Sequence, residues 1–208
     1  KHKGTDKLRA DYRKRLSKYK SQAQSKKKTG KHETSFHIER EGDVRIIVLG
    51  CANVGKSSLV NSLTHASPEV SASPYSTWIP TPGMFEFEGI HLQIIDTPPL
   101  DREYIEPEFL DLIKNSDLLL IMVDIQSYPI QQFQNTIEIL EQNRILPLHK
   151  KSKINESRTS FLPMIVAVNK DDGVNLDEDF DVLNELLREE GWILLPISVE
   201  ENRNIHEL

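Results

Sequence analysis

The nine residues from Gly50 to Ser58, GCANVGKSS, constrain this chain more than any other stretch. They fit G-x-x-x-x-G-K-[ST], a loop whose glycines let the backbone turn tightly and come close to an anion. The flanks agree with that reading. Val44 to Leu49, VRIIVL, is a short apolar run with β-branched residues, as in a buried strand; Leu59, Val60 and Leu63 follow at helical spacing. Strand, loop and helix in that order aim backbone N–H groups and the positive end of a helix at one point, where a phosphate can sit. The loop residues expected against the phosphates are Asn53, Val54, Gly55, Lys56, Ser57 and Ser58. Lys56 reaches the β- and γ-phosphates, and the Ser57 hydroxyl is an oxygen ligand for Mg²⁺. Cys51 reads as a small residue packed in the loop.

The base is decided downstream. Met164 to Val168 is another buried-strand run, and it delivers Asn169-Lys170-Asp171-Asp172 at its C-terminal end, where ligands bind in open α/β sheets. A carboxylate at Asp172 can accept from both the ring N1–H and the 2-amino group of guanine. Adenine offers neither donor there and would leave Asp172 desolvated and unpaired. Asn169 is expected to fasten this loop to the phosphate loop, and the Lys170 stem to cover one face of the base. Ser198 and Val199, after a strand at Trp192–Ile197, are placed to offer backbone N–H groups to the guanine carbonyl.

Between these motifs strands and helices alternate. A proline- and serine-rich loop leads into Tyr75-Ser76-Thr77-Trp78, where Thr77, with Ser76 next, is the candidate to complete the Mg²⁺ shell. A hairpin follows, Met84–Phe87 and His91–Ile95 around Glu88-Gly89, and ends at Asp96, expected behind the Mg²⁺ as a partner of its shell. Helices are expected at Glu106–Asn115 and Ile130–Gln142, a strand at Asp117–Val123, and a long loop at Ile145–Phe161 carrying Lys150, Lys151, Lys153 and Arg158. A last full helix presents Phe180, Leu183, Leu186 and Leu187 on one face, and Leu208 falls in the first turns of another. This alternation predicts a mainly parallel sheet covered on both faces.

Charge divides the chain. Residues 1–31 hold 13 of the 26 Lys/Arg side chains against two acids, Asp6 and Asp11, leaving a net −17 on the remainder. Leu8, Tyr12, Leu16 and Tyr19 give that arm a narrow helical stripe, and Lys26-Lys27-Lys28 a basic linker. Residues 1–42 therefore read as a basic helical arm and linker, and 43–208 as the domain. So much positive charge beside an acidic body suits a phosphate backbone, most simply RNA. One cysteine excludes an internal disulfide, and the longest apolar run, Leu118–Val123, is too short to span a bilayer. A first residue of Lys1 fits a piece of something larger.

Taken in order, Gly50–Ser57, Thr77, Asp96, Asn169–Asp172 and Ser198 resemble the five G-motifs of the TRAFAC-class small GTPases. The segment Ala72–Gly83, ASPYSTWIPTPG, is similar to the first switch of the Obg family. The basic arm and the insertion around residue 150 resemble the developmentally regulated GTP-binding proteins within that family. The resemblance implies a P-loop NTPase G domain: a mainly parallel six-stranded sheet with one antiparallel strand and helices on both faces. It further implies a cytoplasmic, Mg²⁺-dependent GTPase acting on the ribosome or its RNA, with Lys56 and Thr77 as catalytic groups and a TGS domain past Leu208. Asn53 resembles the asparagine that coordinates potassium in cation-activated GTPases, and reads equally as a loop-stabilising residue.

The second switch departs from this pattern. Pro99 stands where related GTPases carry a glycine whose N–H meets the γ-phosphate, and Leu100 where Ras-like proteins carry a water-orienting glutamine. Two functions are compatible with the sequence. One is a slow GTP-hydrolysing switch; the other is a guanine-nucleotide-binding, RNA-associated module with little turnover.

Overall fold

The computed structural model describes residues 36–64, 79–102, 104–154, 157–172 and 177–208, which belong to one folded unit spanning Ser35–Leu208. The basic arm and the loop with Ser76, Thr77 and Trp78 lie outside the described residues. The elements in chain order are β1 (Val44–Leu49), α1 (Lys56–Thr64), β2 (Thr81–Phe87), β3 (Ile90–Asp96), α2 (Pro107–Lys114), β4 (Leu118–Asp124) and α3 (Pro129–Gln142). Then come β5 (Ile145–Pro147), β6 (Ser160–Leu162), β7 (Met164–Asn169), α4 (Asp177–Arg188) and β8 (Leu194–Pro196), with 3₁₀ turns at Leu148–Lys153 and Ile205–Glu207.

The central strands read as continuous apolar runs because both of their faces are covered. Along β4, Leu119, Ile121 and Val123 enter one core while Leu120 and Met122 enter the other. The first core is closed by α2, α3 and α4 through Phe109, Phe133, Leu140 and Leu183. The second is closed by α1, through Leu59, Val60 and Leu63, and by Ile205. Phe36 stacks on Phe109 with ring centroids 5.6 Å apart, so chain ahead of Asp43 also packs on the first core.

The main sheet has six strands in the order β2-β3-β1-β4-β7-β8. Only β2 runs antiparallel, paired with β3 through the expected hairpin, here longer at both ends. From β1 the sheet grows outward on both sides, with β3 on one flank and β4 on the other. That arrangement opens a crevice at the C-terminal strand ends. Gly50, Asp96, Asp124 and Asn169 are all delivered there; Asp124 and Asn169 lie in register.

Three local expectations are corrected. The stretch Ile145–Phe161 is not all loop: β5 and β6 pair in parallel as a separate two-stranded sheet, with Ile145 opposite Ser160. Strands of three residues are too short to show a period of two. The last strand is Leu194–Pro196 and not Trp192–Ile197, because Trp192 is drawn into an edge-to-face contact with Phe133 at 4.9 Å. Leu186 is 51% exposed, whereas Leu183 and Leu187 are buried; it falls just outside the stripe that α4 turns to the sheet.

Phe109 is fully buried. Phe109→Ala should therefore cost about 3–5 kcal/mol in urea unfolding, and Leu186→Ala no more than about 0.5 kcal/mol.

Candidate nucleotide-binding site

The loop between β1 and α1 is shaped by two glycines that no other residue could replace without strain or displacement of a neighbour. Gly50 has φ +150°, and a Cβ there would lie 2.4 Å from the Met122 carbonyl oxygen. Gly55 has φ +99°, and its Cβ would meet the Asn169 amide nitrogen at 2.3 Å. Between them Asn53 adopts φ 63°, a left-handed conformation that asparagine tolerates better than most residues. This geometry by itself accounts for an asparagine at that position. Lys56 folds back over the loop, donating to the carbonyls of Gly50 at 3.1 Å and Cys51 at 2.6 Å. Burial lowers the pKa of its ammonium, while the charges of Asp96 and Asp101 act to raise it. Burial also pushes the Cys51 thiol up, as befits an inert packed residue.

The sheet brings Asp96, 39 residues away in sequence, to Ser57, whose hydroxyl donates to Asp96 Oδ2 at 2.5 Å. The other carboxylate oxygen, Oδ1, is buried with no hydrogen-bond partner among the described residues. Burial raises the Asp96 pKa, against the lowering effects of Ser57 and Lys56. One carboxylate and one hydroxyl, both hard oxygen donors, suit Mg²⁺, which takes its remaining ligands from water and phosphate. The orphaned Oδ1 is an acceptor that a water of such an ion could satisfy. Beside them is a cleft of about 320 Å³. Ala52, Asn53, Gly55, Lys56, Ser57 and Ser58 form one wall, and Thr97 and Pro99 the other.

The segment after β3 is tied down. The Thr97 hydroxyl donates to the Val48 carbonyl at 2.6 Å, and the Leu100 N–H to the Gly50 carbonyl at 3.3 Å. The Leu100 side chain is buried in the first core, away from the cleft.

At the end of β7, Asn169 joins three loops. Its Nδ2 donates to the Val54 carbonyl at 2.9 Å, and its Oδ1 accepts from the Val199 N–H at 3.1 Å. Ser198 is fully buried and donates its hydroxyl to Asp172 while accepting from the Glu201 N–H at 3.0 Å. Of the two amides expected to face the guanine carbonyl, Val199's is committed to Asn169 and Ser198's to the Arg203 carbonyl at 3.1 Å. The Glu200 amide, between these bonds, carries no such bond among the described residues.

Three residues missed in the sequence complete the arrangement. Asp124, at the end of β4, pairs through Oδ2 with the Lys170 ammonium and through Oδ1 with the Gln126 N–H at 2.9 Å. Gln126 in turn donates to the Lys170 carbonyl at 2.9 Å, holding Lys170 at φ 65°. Asp171 is buried and ion-paired with Arg203, which closes the loop after β8 against the loop after β7. A carboxylate at the end of an apolar parallel strand was the available signal for Asp124; nothing in the sequence marked Arg203.

Comparison with known proteins now identifies the lineage. Residues 45–170, more than half of the chain, match the family described as 50S ribosome-binding GTPase. The chain belongs to this family. The Obg-type resemblance is borne out by the names of its relatives. A GTPase Obg of Thermoanaerobacter sp. is 28% identical over 166 residues, which is 77% of this chain and 37% of that protein. A GTP-binding protein of Halobacterium salinarum is 28% identical over 186 residues, covering 83% of this chain and 46% of the relative. A developmentally-regulated GTP-binding protein 2 homologue of Dictyostelium discoideum is 27% identical over 51% of this chain and 32% of its own length. The chain thus spans about a third to a half of these relatives. Among solved structures, Era in complex with MgGDPNP and nucleotides 1506–1542 of 16S ribosomal RNA superposes with a TM-score of 0.54 at 19% identity, over 81% of this chain and 55% of Era's. The FeoB G-domain of Methanococcus jannaschii gives 0.51 at 22% identity, over 79% and 91%. At these identities the likeness shows the fold alone: a G domain of α/β P-loop architecture.

The half-buried Asp96 carboxylate, whose pKa burial raises, is a burden on the empty fold. A raised folded pKa means that Asp96 favours folding at low pH and ceases to do so as pH rises through that pKa. Asp96→Asn, which keeps an oxygen acceptor for Ser57, should raise the melting temperature of the nucleotide-free protein. Its advantage over the parent should widen as pH rises through the acidic range, as read by thermal melts.

Proposed function

We propose that this chain binds GTP and GDP with magnesium and hydrolyses GTP slowly, as a switch acting on the ribosome or RNA. The observation that carries the guanine assignment is the Asp172 carboxylate at the end of β7, oriented by Ser198 in a loop that Asn169 fastens to the phosphate loop. In this reading Asn53, Val54, Gly55, Lys56, Ser57 and Ser58 cradle the phosphates. Lys56 leaves the Gly50 and Cys51 carbonyls for the β- and γ-phosphate oxygens. Ser57, with Thr77 from the first switch, ligates Mg²⁺, and Asp96 holds one of its waters. When bound, the ion neutralises charge that develops on the phosphate oxygens. Asn169 and Lys170 frame the base, Asp172 reads its N1–H and 2-amino group, and the turn of Ser198 and Val199, through the Glu200 amide, meets its carbonyl. The action on RNA rests on the basic arm, supported by the description of the family and by the ribosomal RNA bound to Era.

Asp172→Asn replaces an acceptor with an amide. It should weaken GTP binding by at least ~2 kcal/mol and let xanthine nucleotides compete. Titration calorimetry is the test, and equal affinity of the parent for ATP and GTP would overturn the guanine assignment.

The second reading, nucleotide binding with little turnover, is favoured by Pro99 in the cleft wall and Leu100 in the core. Pro99 has no N–H for a γ-phosphate, and the Leu100 N–H is already bonded to Gly50. Single-turnover phosphate release should run at or below the ~10⁻⁴ s⁻¹ scale of an unstimulated small GTPase. Pro99→Gly should add about 1.5–3 kcal/mol of preference for GTP over GDP, one hydrogen bond to a charged acceptor. If Asn53 holds a potassium ion at the phosphates, K⁺ should stimulate over Na⁺ and Asn53→Ala should abolish the difference. Brisk turnover by the parent alone would sink the account of the second switch.

A further inference from the structure

The thirteen basic residues that follow the arm are distributed very unevenly. Six are engaged by partners within the domain. Arg40 pairs with Asp117, Arg102 with Glu106, Lys170 with Asp124 and Arg203 with Asp171; Arg45 bonds Gln93, and Lys56 the phosphate loop. Lys114 and Arg188 lie in the last turns of α2 and α4, where a cation complements the helix dipole. The other five fall within fifteen residues, at Arg144, Lys150, Lys151, Lys153 and Arg158, with Glu156 the one acid among them. Lys150 is engaged by Glu141 at 3.4 Å. Arg144, Lys151, Lys153 and Arg158 are exposed, and their side chains make no ion pair among the described residues.

The backbone adds a second, independent observation. Arg144 has φ 59° and Arg158 φ 72°, a left-handed conformation that glycine and asparagine accept far better than arginine. The two turns are neighbours: the Arg144 carbonyl accepts the Ser160 N–H at 2.9 Å, where β5 and β6 pair. Both turns therefore place a guanidinium where the fold alone would favour a smaller residue. Glu88 and Tyr128 also have positive φ, but among the described residues only here do two such residues of one charge sit on neighbouring turns, and residues held this way cluster at functional sites.

We propose that the insert between α3 and β7 is a docking surface for an RNA phosphate backbone, formed by Arg144, Lys151, Lys153 and Arg158. Phosphate contacts need charge in an array and no apolar centre. This surface has that character, with Leu148 its one exposed large apolar side chain. A protein partner would need a buried apolar or aromatic anchor. The acidic remainder of the domain repels a polyanion from its other faces and so orients the encounter. The surface is also remote from the nucleotide: β6 leads into β7, whose six residues separate it from Asn169 by roughly 20 Å. The proposal rests on the RNA reading above but not on the basic arm.

The test is made in the full chain, with a mixed-sequence RNA hairpin as probe. The variant Arg144→Asn, Lys151→Gln, Lys153→Gln, Arg158→Asn removes four charges and relieves both left-handed arginines. It should melt no lower than the parent and bind GDP with unchanged affinity. Each lost contact should reduce the salt slope by about 0.7–0.9. Between about 50 and 200 mM salt, the parent's RNA affinity should thus fall about 50- to 150-fold more than the variant's. A Lys114→Gln, Arg188→Gln double variant should keep nearly the parental slope. If the parent binds the hairpin and the four-fold variant keeps its slope, the surface assignment is wrong while the RNA reading stands. If the parent does not bind the hairpin at all, both fail. Loss of binding to polyglutamate or phosphatidylserine vesicles by as large a factor would replace RNA with an unspecific polyanion and overturn the assignment.

Discussion

The Asn169 side chain holds the candidate site together. It is 3% exposed, and its two ends bond backbone groups from loops that are 115 and 30 residues away in sequence. A buried amide left unpaired costs on the order of 1–3 kcal/mol, so neither bond can be surrendered cheaply. The closeness of the approach explains the glycine beneath it. Any side chain at Gly55 would occupy the space of the Asn169 amide, so the loop after β1 and the loop after β7 are fitted to one another. Asp171 with Arg203, and Asp124 with Lys170, brace the same junction from two further directions.

This bracing contrasts with the phosphate end, where the fold tolerates discomfort. An ammonium and a carboxylate, Lys56 and Asp96, are both desolvated, and burial shifts each pKa toward its neutral form. One Asp96 oxygen is buried with no hydrogen-bond partner among the described residues. A natural core does not need such groups; a site that receives a charged ligand and a cation does. The apolar cores supply the stability that this arrangement withholds. The second switch shows the opposite tendency, because Leu100 is fixed by both its backbone and its side chain, which limits what Pro99 beside it can do.

Much of this was legible in the sequence because it depends on local chemistry. Gly50, Gly55 and Lys56 are required by the conformation and charge of one short loop. The central strands declare themselves through unbroken apolar runs such as LLLIMV, since both their faces are buried. Asp172, just past the end of such a strand, carries the proposed guanine preference through its acceptor geometry. The β5–β6 pair was not legible, because three residues carry no period, and Leu186 was misplaced because helical spacing does not say where an apolar stripe ends.

The sequence by itself determined the parallel G-domain fold, and it supplied the residues on which the proposed phosphate loop and guanine site rest, since each follows from residue types at fixed local spacing. Only the tertiary structure decided that Asn169 consumes the Val199 amide, that Asp124 holds Lys170, that Arg203 locks Asp171, and that two strained arginines stand side by side. Those are pairings between groups far apart in the chain. They depend on strand order and register, which bring donors and acceptors within bonding distance and which no local pattern encodes.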